Sequence, residues 1–315
     1  MRFELGVYSF GVAGRDSEGN DVTQAMAVRN VLEQIRLAEE VGLDFFGVGE
    51  HHHEKVPVSS PTSVLNAAAA MTSKITLSTA VSVLSTDDPI RLYQQAATAA
   101  IVSGDRVEVI AGRGSSTASF PLFGYDLDDY DRLYADKFGL LLEINANERV
   151  SWKSPFRPPL DDALVVPRPD KPLKIWLGSG GSPGSTMRAG SAGLPLSYGI
   201  LNGAPERWGQ MASLYRKSAD EAGVNPELLE ISVASHGFVG RDGLAAKQRF
   251  HRHEIESFAL AGRVIPARWE DVEANYSPGG MVFAGEPHGR KSATDASPRL
   301  VISGFGLRVP GGAFT

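Results

Sequence analysis

The sequence predicts an α/β protein built on one parallel sheet that closes into a (β/α)8 barrel. Short apolar runs alternate with longer amphipathic stretches along most of the 315 residues, giving seven strand candidates, each followed by helical sequence. Strands joined through helices pair in parallel with right-handed crossovers. The alternation also runs as one unbroken series over a length that suits a barrel better than an open doubly wound sheet.

Residues 3–10 form the first strand candidate, and a polar, Gly-rich loop follows it to Asp21. Val31, Leu32, Ile35 and Ala38 recur at helical spacing within 28–41, and Gly42 ends that helix where a left-handed residue costs least. Phe45-Phe46-Gly47-Val48-Gly49 is a short buried strand, with Glu50-His51-His52-His53 at its C-terminal end. Pro61-Thr62-Ser63 opens an alanine-rich helix, and β-branched residues fill a strand over 74–84. Asp88 is the N-cap and Pro89 the first residue of a helix that runs to Ser103. Strand 106–111, helix 128–147 and a Pro-rich excursion at 152–172 come next. That excursion reads as an insertion in one domain, because the alternation resumes in phase after it. Strands 174–177, 196–201 and 230–239 are interleaved with helices 183–192 and 205–222, and helical segments at 245–261 and 266–275 complete the series.

Residues 1–287 thus form the barrel domain, and 288–315 an atypical C-terminal tail. The tail is polar and aperiodic over 288–298, and only Leu300-Val301-Ile302 resembles strand. Its abrupt end at Thr315 has the form of a truncation or a reading-frame shift. The eighth βα unit is expected to be incomplete or degenerate. The first and seventh strands then keep open edges, unless residues 300–306 supply a short substitute strand.

Hydrophobic residues make up 42% and charged residues 22%, as in a folded globular chain. The net charge of −6 gives no global field for nucleic acid or an anionic membrane. Cysteine is absent, which excludes disulfides, thiolate metal sites and cysteine nucleophiles. No stretch approaches the roughly 18–20 apolar residues that span a bilayer. The first residues also lack the basic-then-apolar pattern of a secretion signal. A cytoplasmic protein is expected.

In such a barrel the chemistry sits at the C-terminal ends of the strands. Glu50-His51-His52-His53 occupies one of them. It reads as a solvated turn with one structural histidine, as a proton-handling or cofactor-contacting histidine, or as a His-x-His metal pair. Arg113, in Ala111-Gly112-Arg113-Gly114-Ser115, suits bidentate binding of a phosphate, or a salt bridge to a neighbouring loop. Gly178-Ser179-Gly180-Gly181-Ser182-Pro183 joins a strand to a helix, so backbone N–H groups and the helix N-terminus favour an anion there. It is no dinucleotide fingerprint, because Pro183 stands where the third glycine belongs, and it lacks the Lys-Ser/Thr ending of a P-loop. His236 ends the seventh strand run and is placed to face the same mouth.

Five stretches follow successive strands in a set order: Gly47-Val48-Gly49-Glu50-His51-His52, Thr79-Ala80-Val81-Ser82-Val83-Leu84, Asp88-Pro89-Ile90-Arg91, Ala111 through Ser115, and Gly180-Gly181-Ser182-Pro183. Together they resemble the luciferase-like flavin monooxygenase family over residues 1–285. Phe120-Pro121-Leu122-Phe123-Gly124-Tyr125 and Ser235-His236-Gly237-Phe238-Val239 look like a bacterial FMN-dependent subgroup.

The resemblance implies a TIM barrel of bacterial-luciferase type and a monooxygenase reaction of reduced FMN with O2 on a small organic substrate. It implies a separate flavin reductase as FMN source and a homodimer; F420 is used by related barrels. By the same resemblance His51 matches the histidine beside the reacting flavin. Arg113, with Gly114 and Ser115, matches the phosphate grip, and Gly180, Gly181 and Ser182 the phosphate loop. Ala80-Val81 matches a non-proline cis peptide that supports the flavin ring. The pattern departs after Gly285-Glu286-Pro287, where the family continues with a helix, the eighth strand and a final helix. Two competing readings stand beside it: a metal-dependent barrel hydrolase using His51, His53 and His236, and a non-catalytic flavin- or phosphate-binding barrel.

Overall fold

A computed structural model of the chain describes residues 3–16, 19–200, 205–225, 229–240, 242–260, 264–276, 283–285 and 304–309. β1 (Glu4–Ser9) leads through α1 (Gln24–Glu40) to β2 (Phe45–Val48), and α2 (Pro61–Met71) leads to β3 (Thr76–Thr79) and its short continuation β4 (Ser82–Val83). Next come α3 (Pro89–Ser103), β5 (Val107–Gly112), the short α4 (Ser119–Phe123) and α5 (Tyr130–Ala146). A hairpin of β6 (Arg149–Ser154) and β7 (Arg157–Leu164) precedes β8 (Lys174–Ser179), α6 (Pro183–Ser191), β9 (Leu196–Ile200) and α7 (Pro205–Glu221). The chain continues through β10 (Ile231–Ser235), β11 (Gly237–Val239), α8 (Gly243–Leu260), β12 (Phe283–Gly285) and β13 (Gly304–Val309).

The local signals account for these elements. Thr23 caps α1, accepting from the Met26 N–H, and Val31, Ile35 and Ala38 form its buried stripe. Asp88 caps α3 by accepting from the N–H groups of Ile90 and Arg91, and Gly104 closes that helix at φ 70°. Asp88 and Pro89 thus act as the sequence predicts.

Eight strands close the barrel in the order β3-β2-β1-β13-β10-β9-β8-β5, and β5 returns to β3 through Leu77↔Val107 and Ser78↔Glu108. Neighbours are parallel throughout except at β13, which runs antiparallel to both β1 and β10. The expectation of open edges on the first and seventh strands is therefore corrected. A six-residue segment of the tail, 304–309 instead of 300–306, pairs with both. Two rows of unpaired backbone groups are costly, and one inserted strand satisfies them together in either direction. The expectations for 288–303 and 310–315 lie outside the described residues.

β13 fits because of its side chains. A Cβ on Gly306 would lie 2.3 Å from the Tyr8 ring and 2.7 Å from that of Phe45, so glycine alone fits there. Arg308 turns inward, its guanidinium 4.0 Å from the Phe45 ring centre and 4.9 Å from that of Trp176. It pairs with Glu108 at 2.8 Å, and Glu108 also accepts from the Trp176 indole N–H at 3.0 Å. Tyr8, Phe45, Ile110 and Trp176 form the buried interior, while the larger core lies between barrel and helices.

The Pro-rich insertion takes a definite form, and two further expectations, for 230–239 and 266–275, are corrected. The Pro-rich excursion is in large part the β6–β7 hairpin, which is anchored by Trp152 and Ser154 donating to Asp136. Strand 230–239 breaks at His236, and β11 leaves the barrel to pair in parallel with β12. Residues 266–275 hold two 3-10 turns, Trp269–Asp271 and Glu273–Tyr276, instead of one helix. No described helix is long and apolar enough to cross a membrane.

Arg308→Ala would leave the half-buried Glu108 carboxylate short of its nearest cation. A loss of about 3 kcal/mol in urea denaturation is expected, with Arg308→Lys retaining part of it.

Candidate active site

Parallel pairing sets the strand ends side by side. Val48 is level with Thr79, Val83 with Gly112, and Ala111 with Leu177. The loops carrying Glu50 to His53, Ala80-Val81, Arg113 and Gly180 to Ser182 therefore share one mouth of the barrel.

The Ala80–Val81 peptide is cis, as the resemblance implies. Hydrogen bonds hold the chain on both sides of it: Ala80 N–H donates to Val48 O at 2.7 Å, and Leu84 N–H to Gly112 O at 2.9 Å. The neighbouring strands make room with glycine. A Cβ on Gly47 would lie 2.8 Å from that of Ala80, and one on Gly112 2.5 Å from a Val81 methyl. Ala80 and Val81 pack on the barrel interior and form a ledge between β2 and β5.

Glu50, buried beside the ledge, accepts from the Val83 N–H at 2.8 Å and binds His52 Nε2 at 2.9 Å. Sequence reasoning grouped Glu50 with the histidines without assigning it this clamp. The ring of His51 is half-buried and meets Phe10 edge-on at 4.9 Å, and burial holds its pKa below the ordinary histidine value. Its imidazole is thus neutral at neutral pH. His53 is exposed, and its Nδ1 accepts from the Lys55 N–H. His236 sits half-buried at the end of β10. Among the described residues no three His, Cys, Asp or Glu side chains converge to hold a metal ion.

Arg113 lies at the end of β5, 2.5 Å from Asp131 and 5.5 Å from the Tyr130 ring centre. The Tyr130 hydroxyl donates to Gly114 O at 2.5 Å, and Ser115 is exposed. Asp131 is 77% exposed, so this ion pair contributes little and yields readily to a stronger anion. On the adjacent strand end, Gly181 adopts φ 87° against the Trp208 ring, and its N–H donates to Ser179 Oγ. Ser182 caps α6 by accepting from the Ser185 N–H. Gly180 is exposed, with nothing within 4 Å of where a Cβ would lie. Arginine, helix N-terminus and this open glycine fit a phosphate group.

Behind Glu50 lies a polar cavity of about 120 Å³, lined among others by His52, Ser82, Asp87, Gln95 and Phe123. Burial, with the charge of Glu50 adding to it, pushes the Asp87 carboxyl up to about 6. Lys137 donates to Ser85 O at 2.9 Å, with its ammonium over the Tyr125 ring, and burial pushes it down to about 8.

The sequence and the fold are those of a known family. The chain belongs to the luciferase-like monooxygenases, whose sequence profile matches residues 4–297. Monooxygenase RslO1 from Streptomyces bottropensis shares the fold at a TM-score of 0.76 and 23% identity, over 90% of this chain and 84% of its own. The oxygenating constituent of 3,6-diketocamphane monooxygenase from Pseudomonas putida, in complex with FMN, does so at 0.65 and 16%, over 91% and 92%. At these identities the likeness is one of fold. An F420-dependent glucose-6-phosphate dehydrogenase from Amycolatopsis mediterranei is 27% identical over 52% of this chain and 51% of its own length. The chain spans less than two thirds of the length of the curated relatives it matches.

The Asp87 carboxyl holds its proton more tightly in the folded chain, so folding takes up protons between the ordinary 3.8 and about 6. Stability then falls as pH rises through that window. Asp87→Asn removes the loss, and its stability relative to the parent should rise by up to about 3 kcal/mol across the window. Urea denaturation at several pH values across this window measures this, and a pH-independent difference would contradict it.

Proposed function

We propose that the chain is an FMN-dependent monooxygenase that uses reduced FMN and O2 on a small organic substrate. One observation carries the reading. Two anion-suited groups, Arg113 on β5 and the Gly180-Gly181-Ser182 turn after β8, stand on one side of the Ala80–Val81 ledge, and the neutral His51 on the other. Arg113 and the α6 N-terminus would bind the phosphate, with Gly114 and Ser115 shaping the loop. Ala80 and Val81 would support the flavin ring, and Phe10 would help exclude water from it. His51 would hold or pass a proton beside the reacting atoms. Bound FMN supplies the electrons that activate O2.

The reading includes a separate flavin reductase and a cytoplasmic location. It includes a homodimer too, which the exposed Met71, Ile101 and Val102 at the ends of α2 and α3 support. F420 in place of FMN is a second reading, favoured by the Amycolatopsis relative. Anaerobic titration with reduced FMN and with reduced F420, followed by O2, separates the two. Saturable FMN binding with O2 uptake supports the first, and binding of F420 alone replaces it with the second.

Arg113→Ala should weaken FMN binding by about 1.5–3 kcal/mol, the worth of a charge-assisted contact. Unchanged affinity in a fluorescence titration would remove Arg113 from the site. His51→Ala should lower product formed per reduced flavin more than His52→Ala does. The reverse order would move the proton-handling role to His52.

A further inference from the structure

We propose that Lys137 is a positioning residue for the Arg113 grip, acting through Ser85; the role rests on the reading of Arg113 as the phosphate ligand. Lys137 stands on the apolar face of α5, four residues after Leu133 and four before Leu141, and is 5% exposed. An apolar side chain there would pack without the cost of burying an ammonium. What the lysine adds is a donor. Its Nζ donates to Ser85 O at 2.9 Å, and Ser85 Oγ donates in turn to Arg113 O at 3.0 Å. Ser85 is fully buried, so bulk water does not compete for either bond. The next carbonyl, that of Gly114, accepts from the Tyr130 hydroxyl. Two consecutive carbonyls are thus held, and the Arg113 side chain leaves a fixed stem.

The groups around Lys137 set when this hold is lost. Asp87 and Asp88 face it from the start of α3 and Asp136 from α5 itself, each favouring the ammonium. Glu50 acts on Asp87 in turn, and Arg157 of the β6–β7 hairpin lies 3.9 Å from Asp88. Tyr125, after α4, covers the ammonium with its ring, 3.9 Å from Nζ to the ring centre. Burial outweighs the carboxylates and pushes the lysine down to about 8. The ammonium therefore predominates at pH 7 and is mostly lost at pH 9. A neutral amine makes a weaker bond to Ser85 O and no cation–π contact. The grip then loosens as pH rises through that range.

Fluorescence titrations of the intact chain with FMN and with riboflavin, which lacks the phosphate, separate the grip from the ring site. In the parent, FMN affinity should fall several-fold between pH 7 and 9 while riboflavin affinity stays level. Lys137→Arg keeps its charge and should hold FMN with no such fall. Lys137→Met should bind FMN several-fold more weakly at pH 7 and also lack the fall. Ser85→Ala keeps the carbonyl that Lys137 binds and removes the link to Arg113, so it should match Lys137→Met for FMN and the parent for riboflavin. Amide hydrogen exchange of residues 113–115, followed at pH 7 without flavin, should be faster in Lys137→Met and Ser85→Ala than in the parent. Parent-like FMN affinity and exchange in Lys137→Met would overturn the proposal, as would a fall with pH that persists in Ser85→Ala. Equal parent affinity for FMN and riboflavin would sink the phosphate reading, while faster exchange in the two variants would still uphold the hold of Lys137 on the Arg113 loop.

Discussion

A barrel has no free edge, and here that constraint is met by one short strand. β13 supplies hydrogen bonds to β1 on one side and β10 on the other, and it also brings Arg308 into the interior against Glu108. Every other strand of the barrel ring reaches its neighbour through a helix and keeps the parallel register that aligns the strand ends. Were β13 absent, β1 and β10 would lose their shared partner, and the circular order that sets the mouth loops beside one another would open.

Within that ring the mouth is shaped by subtraction. Gly47 on β2, Gly112 on β5 and Gly178 on β8 surrender side-chain volume, and Ala80 and Val81 occupy it. Glu50 then ties the chain beyond the ledge to the end of β2 through one buried carboxylate. Ledge, histidine loop and arginine loop are thus coupled through backbone hydrogen bonds together with the buried Glu50 carboxylate.

Much of this was legible in the sequence, and the exceptions share a cause. The cap of α3 depends on Asp88, Pro89 and the next two N–H groups, so local reading finds it. His51 and Arg113 stand out in the sequence because each follows an apolar run. The partner of Glu50 is a backbone amide 33 positions later, and that of Arg113 an aspartate 18 positions on; neither leaves a periodic trace. The hairpin at 149–164 was hidden by the prolines around its turn. β13 is Gly-rich and short, and its place is decided by two edges far away in sequence.

The reversed direction of β13 also decides which way the chain faces when it leaves the barrel. A parallel last strand would deliver the backbone to the mouth, among the loops that carry Arg113 and His51. In β13, Gly304 pairs with Tyr8 near the mouth and Arg308 with Glu4 at the far end. The chain therefore passes Val309 on the face remote from those loops. A tether joined directly at Val309 would start behind the barrel, on the side away from the opening.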